Sequence, residues 1–298
     1  MFDLSDWSVL QLAAIEQALS RWVASPTMTP APAGLGDAMR YAVLDGGKRL
    51  RPLLVMAACE AVQGNARAAL RSACAVEMIH AYSLVHDDMP CMDNDVLRRG
   101  KSTVHVQFGE AQALLAGDAL QALAFELLTP DDDSVDAPTQ ARLCRLLAQA
   151  AGFQGMAGGQ AIDLASVGQA LTSVQLHEMH RLKTGALLQA SVMMGAACGT
   201  ASPAALTALR DYGAAVGLAF QVVDDMLDVT ADAATLGKTA GKDAAQDKPT
   251  FVSLMGLQAS GAYAQQLLAK ALASLQASGL ENVQALEALA DMLVNRQH

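Results

Sequence analysis

Residues 217–228 read Gly217-Leu218-Ala219-Phe220-Gln221-Val222-Val223-Asp224-Asp225-Met226-Leu227-Asp228. The polar members Gln221, Asp224, Asp225 and Asp228 stand at i, i+3, i+4 and i+7, the spacing of one stripe on an α-helix. The residues around them are apolar. A surface helix also shows an acidic stripe, but its other faces are not so uniformly apolar. The segment reads as a buried helix whose inward stripe is anionic. A buried carboxylate row needs metal or paired cations.

The rest of the chain agrees with helix. Among 298 residues only 4% are aromatic, and roughly one in five is Ala, the best helix former. Runs rich in Val, Ile, Thr and Tyr are scarce, so strands are not expected. Hydrophobic residues make up 52% and charged residues 17% of the chain, which excludes disorder over most of it. Breaks fall at 25–32, 127–139 and 229–249, each marked by Pro, Gly or charge, and a first helix is expected around Trp7 to Val23. Short breaks between long helices predict one all-α bundle domain over 1–298. Thr184 to Leu209 carries no charge. Its Gln189, Ser191, Thr200, Ser202 and Pro203 point to a buried core helix followed by a turn, not a membrane span.

The net charge of −10 argues against a nucleic-acid partner. It also means that an anionic substrate is repelled unless cations intervene. Five cysteines without a CxxC pattern disfavour a disulfide framework or a zinc site, and a reducing cytoplasmic setting is expected. The N-terminus has Asp3 and Asp6 and no basic region, unlike a signal peptide.

A second acidic cluster follows the apolar stretch Ala73 to Val85. It contains His86, Asp87, Asp88, Asp93 and Asp95, with Arg98 and Arg99 just beyond. Clustered hard oxygens suit Mg²⁺, which binds through a few carboxylates plus substrate phosphates. Pro90 cannot donate to the carbonyl of His86, so the helix should end there and turn Asp93 back towards Asp87. Gly46-Gly47-Lys48-Arg49-Leu50-Arg51-Pro52 places three cations after a glycine pair, which reads as an anion site. It is not a P-loop, because the GxxxxGK[ST] pattern is absent. His180-Arg181-Leu182-Lys183-Thr184-Gly185 supplies further cations, with Lys238, Lys242 and Lys248 beyond.

In sum these blocks resemble the trans-prenyltransferases, the isoprenyl diphosphate synthases. The two aspartate-rich motifs are Asp87-Asp88-x4-Asp93 and Asp224-Asp225-x2-Asp228. GGKRLRP at 46–52, KTG at 183–185, FQVVDD at 220–225 and LGK at 236–238 are similar to the family's other blocks, in family order. The resemblance implies an all-α bundle around a deep central cavity, three Mg²⁺ ions and a homodimer. It implies Asp87, Asp93 and Asp224 as metal ligands, with Asp88, Asp225 and Asp228 beside them. It implies Gly47, Lys48, Arg51, His80 and Arg99 around isopentenyl diphosphate. Around the allylic diphosphate it implies Arg98, Lys183, Thr184, Gln221, Lys238 and Lys248.

The implied reaction is head-to-tail condensation by ionisation, addition and elimination. Metal and cations stabilise the departing diphosphate, so no protein nucleophile is needed. Residues 229–249 are expected to serve as a lid that keeps water from the cation. Tyr82 lies five residues before Asp87, about 7.5 Å deeper along a helix, where it reads as a floor to product length. With the two extra residues inside the first motif it resembles the bacterial farnesyl diphosphate synthases. A geranylgeranyl diphosphate synthase is the near rival. An HD-type phosphohydrolase, suggested by His86-Asp87, leaves the second motif unexplained. A terpene cyclase would need only one such motif, and a non-catalytic helical subunit would need decayed ones.

Overall fold

The computed structural model describes residues 2–25, 31–44, 46–169, 171–230 and 249–296. The helices are α1 (Leu4–Trp22), α2 (Leu35–Val43), α3 (Leu50–Ala61), α4 (Ala66–Asp87), α5 (Val104–Phe108), α6 (Glu110–Leu128) and α7 (Ala137–Ala151). They continue with α8 (Met156–Ala165), α9 (Ser173–His180), α10 (Ala186–Ala197), α11 (Pro203–Thr230), α12 (Phe251–Met255), α13 (Leu257–Ala277) and α14 (Gln284–Val294). Strands β1 (Leu97–Arg98) and β2 (Lys101–Ser102) form a small hairpin, and the fold is the expected all-α bundle.

Local chemistry sets the helix boundaries. The first helix begins three residues before the expected Trp7, because the Asp3 carboxylate accepts from the N–H groups of Ser5 and Asp6. Asn65 and Asp136 cap α4 and α7 in the same way, and Thr172 with Gln175 closes a capping box on α9. The uncharged stretch forms α10, with Leu187, Leu188, Val192 and Met194 fully buried, then a turn, then α11 opened by Pro203.

At the centre α3, α4, α10 and α11 pack together, with α6 on α4 and α13 on α11. Two glycines allow close approaches between these central elements. A Cβ on Gly195 would stand 2.2 Å from the Val55 carbonyl oxygen, and one on Gly217 would stand 2.9 Å from the Gly185 Cα. Among the described residues α6 is the helix long and apolar enough to cross a bilayer by composition. It packs one face on α4 and leaves Leu114 and Leu115 exposed.

Candidate active site

Helix α4 ends where Pro90 requires, and Asp88 caps it. The chain then folds back, with the Asp93 N–H donating to the Asp87 carbonyl at 2.8 Å and the Asp95 N–H donating to that of Asp88 at 3.1 Å. The expected return of Asp93 onto Asp87 is thus made by backbone. The two acids of the Asp-Asp pair have different surroundings. Asp88 is buried and gripped by Arg98, whose Nε and Nη2 reach its oxygens at 2.8 and 2.6 Å. Asp87 has no such fork. Burial, with Asp93 and Asp88 adding to it against Lys183 and Arg98, pushes its carboxyl up to about 6.

The hairpin distributes the adjacent arginines. Arg99 and Gly100 form its two-residue turn, both at positive φ (51° and 75°), as a type I′ turn requires. Arg98 faces Asp88, while Arg99 donates to the Gly46 carbonyl at 2.9 Å. A Cβ on Gly47 would stand 2.8 Å from the Arg99 guanidinium, at a φ of 132°.

Around Arg99 lies a ring of cations. The Arg51 guanidinium is lowered to about 10, by burial first and then by Arg99, against Glu77. Burial and the charges of Arg51, Arg99, Arg98 and Arg49 hold His80 neutral. Burial and Arg296 lower Lys48, while Asp224 opposes them. Arg49 is a correction to the expected three-cation site. It turns inward at φ 45°, donating to Glu16 at 2.6 Å, Glu77 at 2.7 Å and the Val43 carbonyl at 2.7 Å. Its fork is saturated, so it braces the Gly-Gly turn from behind.

Facing this ring, the stripe of α11 divides by depth. Asp225 and Asp228 are buried, whereas the Asp224 side chain is 40% exposed. Asp225 accepts from Gln221 Nε2 at 2.7 Å and from the Phe251 N–H at 2.7 Å. Gln221 in turn accepts from the Thr184 hydroxyl at 2.9 Å. Thr184 and Lys183 belong to a π-helical turn, Arg181–Gly185, a form often found at functional sites. Lys183 pairs with the buried Asp163 of α8. His180, just before this turn, is buried without a hydrogen-bond partner, and burial followed by the Lys183 charge drops it to about 3.

Some participants were not signalled by any motif. Arg296, near the C-terminus, approaches Asp224 at 3.5 Å and lies 4.5 Å over the Phe220 ring. Asp163 follows Gly158-Gly159-Gln160, and a Cβ on Gly159 would stand 2.1 Å from the Lys183 nitrogen. Lys238, Lys242, Lys248 and nearly all of the expected lid lie outside the described residues. His86 does not serve as an HD ligand. Its Nε2 lies 3.1 Å from the Leu114 carbonyl, and its ring packs on Tyr82. Among the described residues no three His, Cys, Asp or Glu side chains converge on one point, as expected for Mg²⁺ that relies on substrate phosphates for part of its coordination. Hard carboxylates on two opposed faces, with Asp87 short of compensating charge, still fit Mg²⁺ held jointly with substrate phosphates.

The sequence profile of the polyprenyl synthetases matches residues 32–290. The chain belongs to the polyprenyl synthetase family. This family member is 53% identical to a probable farnesyl diphosphate synthase of Sinorhizobium fredii, over 86% of this chain and 77% of that one. It is 44% identical to geranylgeranyl pyrophosphate synthase 4 of Arabidopsis thaliana, over 100% and 79%. A geranyltransferase structure from Helicobacter pylori, complexed with magnesium and isoprenyl diphosphate, superposes with a TM-score of 0.85 at 33% identity, covering 99% and 97% of the two chains. The polyprenyl synthetase described here is therefore a prenyltransferase, a trans-prenyl diphosphate synthase acting on isoprenyl diphosphates.

Proposed function

We propose that the enzyme condenses isopentenyl diphosphate with dimethylallyl and then geranyl diphosphate to give (2E,6E)-farnesyl diphosphate. The observation that carries the fifteen-carbon product is Tyr82. It is 9% exposed on α4, close enough to Gln121 of α6 for that side chain to act on its hydroxyl, with its ring 5.7 Å from that of His86. A growing tail that starts beside Asp87 and runs down α4 meets this braced ring. Relatives named for fifteen- and twenty-carbon products both match the chain, so the floor residue is the discriminating feature.

The ring of Lys48, Arg51, His80, Arg99 and Gly47 takes the diphosphate of isopentenyl diphosphate, and Arg296 closes its edge. The allylic diphosphate lies between the aspartate motifs, near Lys183 and Arg98, with Lys238 and Lys248 contributing from the segment between α11 and α12. Magnesium, three ions in this reading, supplies charge neutralisation to the departing diphosphate. Asp87, Asp93 and Asp224 would hold it, with Asp88, Asp225 and Asp228 behind them. Asp88 acts mainly by fixing Arg98, and Asp225 by fixing Gln221.

The hydrogen-bond chain from Thr184 through Gln221 to Asp225 directs each donor away from the bound allylic carbon. The Thr184 and Gln221 oxygens then stabilise the developing cation as oriented dipoles. No protein base is required, because the departing diphosphate accepts the final proton. Exposed Val106, Leu114 and Leu115 on α5 and α6 form an apolar face, which we assign to a homodimer contact.

The test is incubation with dimethylallyl and isopentenyl diphosphates, with and without Mg²⁺, followed by chromatography of the products. A fifteen-carbon product that requires Mg²⁺ is expected. Tyr82→Ala should lengthen it beyond fifteen carbons, and an unchanged product from that variant would overturn the floor assignment.

A further inference from the structure

We propose that Cys59 and Cys198 form a peroxide-oxidisable dithiol, which closes to a disulfide joining the far ends of α3 and α10.

Three observations place the two thiols together. Cys59 is near the C-terminal end of α3, and Cys198 caps α10. The backbone of Gly64 and Asn65 clips these ends to each other. The Gly64 N–H donates to the Cys59 carbonyl at 2.9 Å, and the Asn65 N–H donates to the Cys198 carbonyl at 2.8 Å. A Cβ on Gly64 would stand 2.9 Å from the Cys59 sulfur and 2.8 Å from the Cys198 carbonyl carbon. The sulfur of one residue and the backbone of the other thus flank the same point. The two thiols influence each other's ionisation.

Both thiols are nearly buried, Cys59 at 4% and Cys198 at 7% exposure. Cys59 lines an open cleft of about 640 Å³ between the first turns of the chain and the C-terminal helix, with Met56, Glu60, Gln63 and Gly64. The Cys198 sulfur lies 3.2 Å from the Met194 carbonyl and 4.0 Å from the Ser72 hydroxyl. Cys59 lines the cleft through which an oxidant would arrive and Cys198 does not, so the attack is assigned to Cys59 and resolution to Cys198.

The chemistry balances with a hydroperoxide as oxidant. The Cys59 thiolate attacks the peroxide O–O bond, giving a Cys59 sulfenic acid and, after proton uptake, one water. The Cys198 sulfur then attacks the sulfenyl sulfur, forming the S–S bond and releasing the second water. Two thiols lose two electrons, and the peroxide gains them. A thiol reductant reverses the bond, as expected for a regulatory rather than constitutive crosslink in a reducing compartment.

The consequence reaches the substrate sites through the helices. α3 begins beside Lys48 and Arg51, and α10 begins at the π-turn that carries Lys183 and Thr184. The bond would fix the distal ends of both.

The test treats the full-length chain with hydrogen peroxide, alkylates it after denaturation, and maps peptides without reduction. A Cys59–Cys198 crosslinked peptide two hydrogens lighter than its parts is expected, with a Tm several degrees higher that dithiothreitol returns to its starting value. In Cys198→Ser the crosslink should vanish and Cys59 should be trapped by dimedone as the sulfenic acid. Cys59→Ser should give neither species. The proposal is overturned if Cys59 and Cys198 both remain alkylatable while the exposed Cys91 is consumed. It is also overturned if Cys59 sulfenic acid persists in the natural chain as it does in Cys198→Ser.

Discussion

Asp88 and Arg98 show what a single residue must do at this site. A buried carboxylate and a guanidinium are each costly alone and tolerable together. Asp88→Asn should remove about 3 kcal/mol of stability, because it leaves Arg98 partly buried and unpaired. Urea unfolding of Asp88→Asn, Arg98→Gln and the double variant checks this, with the double variant less destabilised than the sum of the singles. His180 makes a pH prediction. Its folded value, about 3, lies below the ordinary 6.5. The unfolded chain therefore binds the extra proton between these values, and stability is lost as pH falls below 6.5. By about pH 5 the loss from this group approaches 2 kcal/mol, at roughly 1.36 kcal/mol per unit. Thermal melts of His180→Leu across that range should be flatter than those of the parent. The acids and cations assigned to the candidate site were readable as motif members. Arg296 and Asp163 were not, because each acts through a partner far away in the chain. Arg49 was misread because composition does not say which way a cation points.

At the scale of elements, the π-turn sets the geometry of Lys183 and Thr184. Gly159 on α8 leaves room for it, since a Cβ there would stand 2.1 Å from the Lys183 nitrogen. Gly159→Ala should lower turnover by about 100-fold, of the size seen when positioning is lost, while the helical circular dichroism stays unchanged. Steady-state kinetics beside a far-ultraviolet spectrum decides this. The sequence offered 180–185 as a source of cations but gave no sign of π geometry in a turn that packs against both α8 and α11. Helix identity was legible because apolar spacing and caps are local. The start of α1 depended on the Asp3 cap rather than on the apolar run.

For the whole molecule, the cation ring and the second aspartate motif lie close together at one end of the bundle, and in the proposed reading they divide the work of holding two diphosphates. The all-α class followed from Ala content and from the Gln221–Asp228 stripe. The stripe's division by depth, with Asp225 buried and Asp224 partly exposed, required α12 and the C-terminus to be in place. The exposed Leu114 and Leu115 make the assembly prediction. Leu115→Glu should convert the proposed dimer to a monomer in sedimentation velocity and lower the Tm by several degrees. An unchanged sedimentation coefficient would remove α6 from the contact.

The β1–β2 hairpin carries a constraint of direction. Arg98 ends the strand with extended backbone and Arg99 opens the turn with left-handed backbone, and this change between neighbours sends Arg98 to Asp88 and Arg99 to the Gly46 carbonyl. A slip of one residue in this short ladder would move the turn onto a different pair and take both arginines from their partners. One change outside both aspartate triplets would then disturb the two proposed substrate sites at once. Length variation within the hairpin is thus restricted to changes that keep the turn at Arg99 and Gly100, and the two sites are tied to change together.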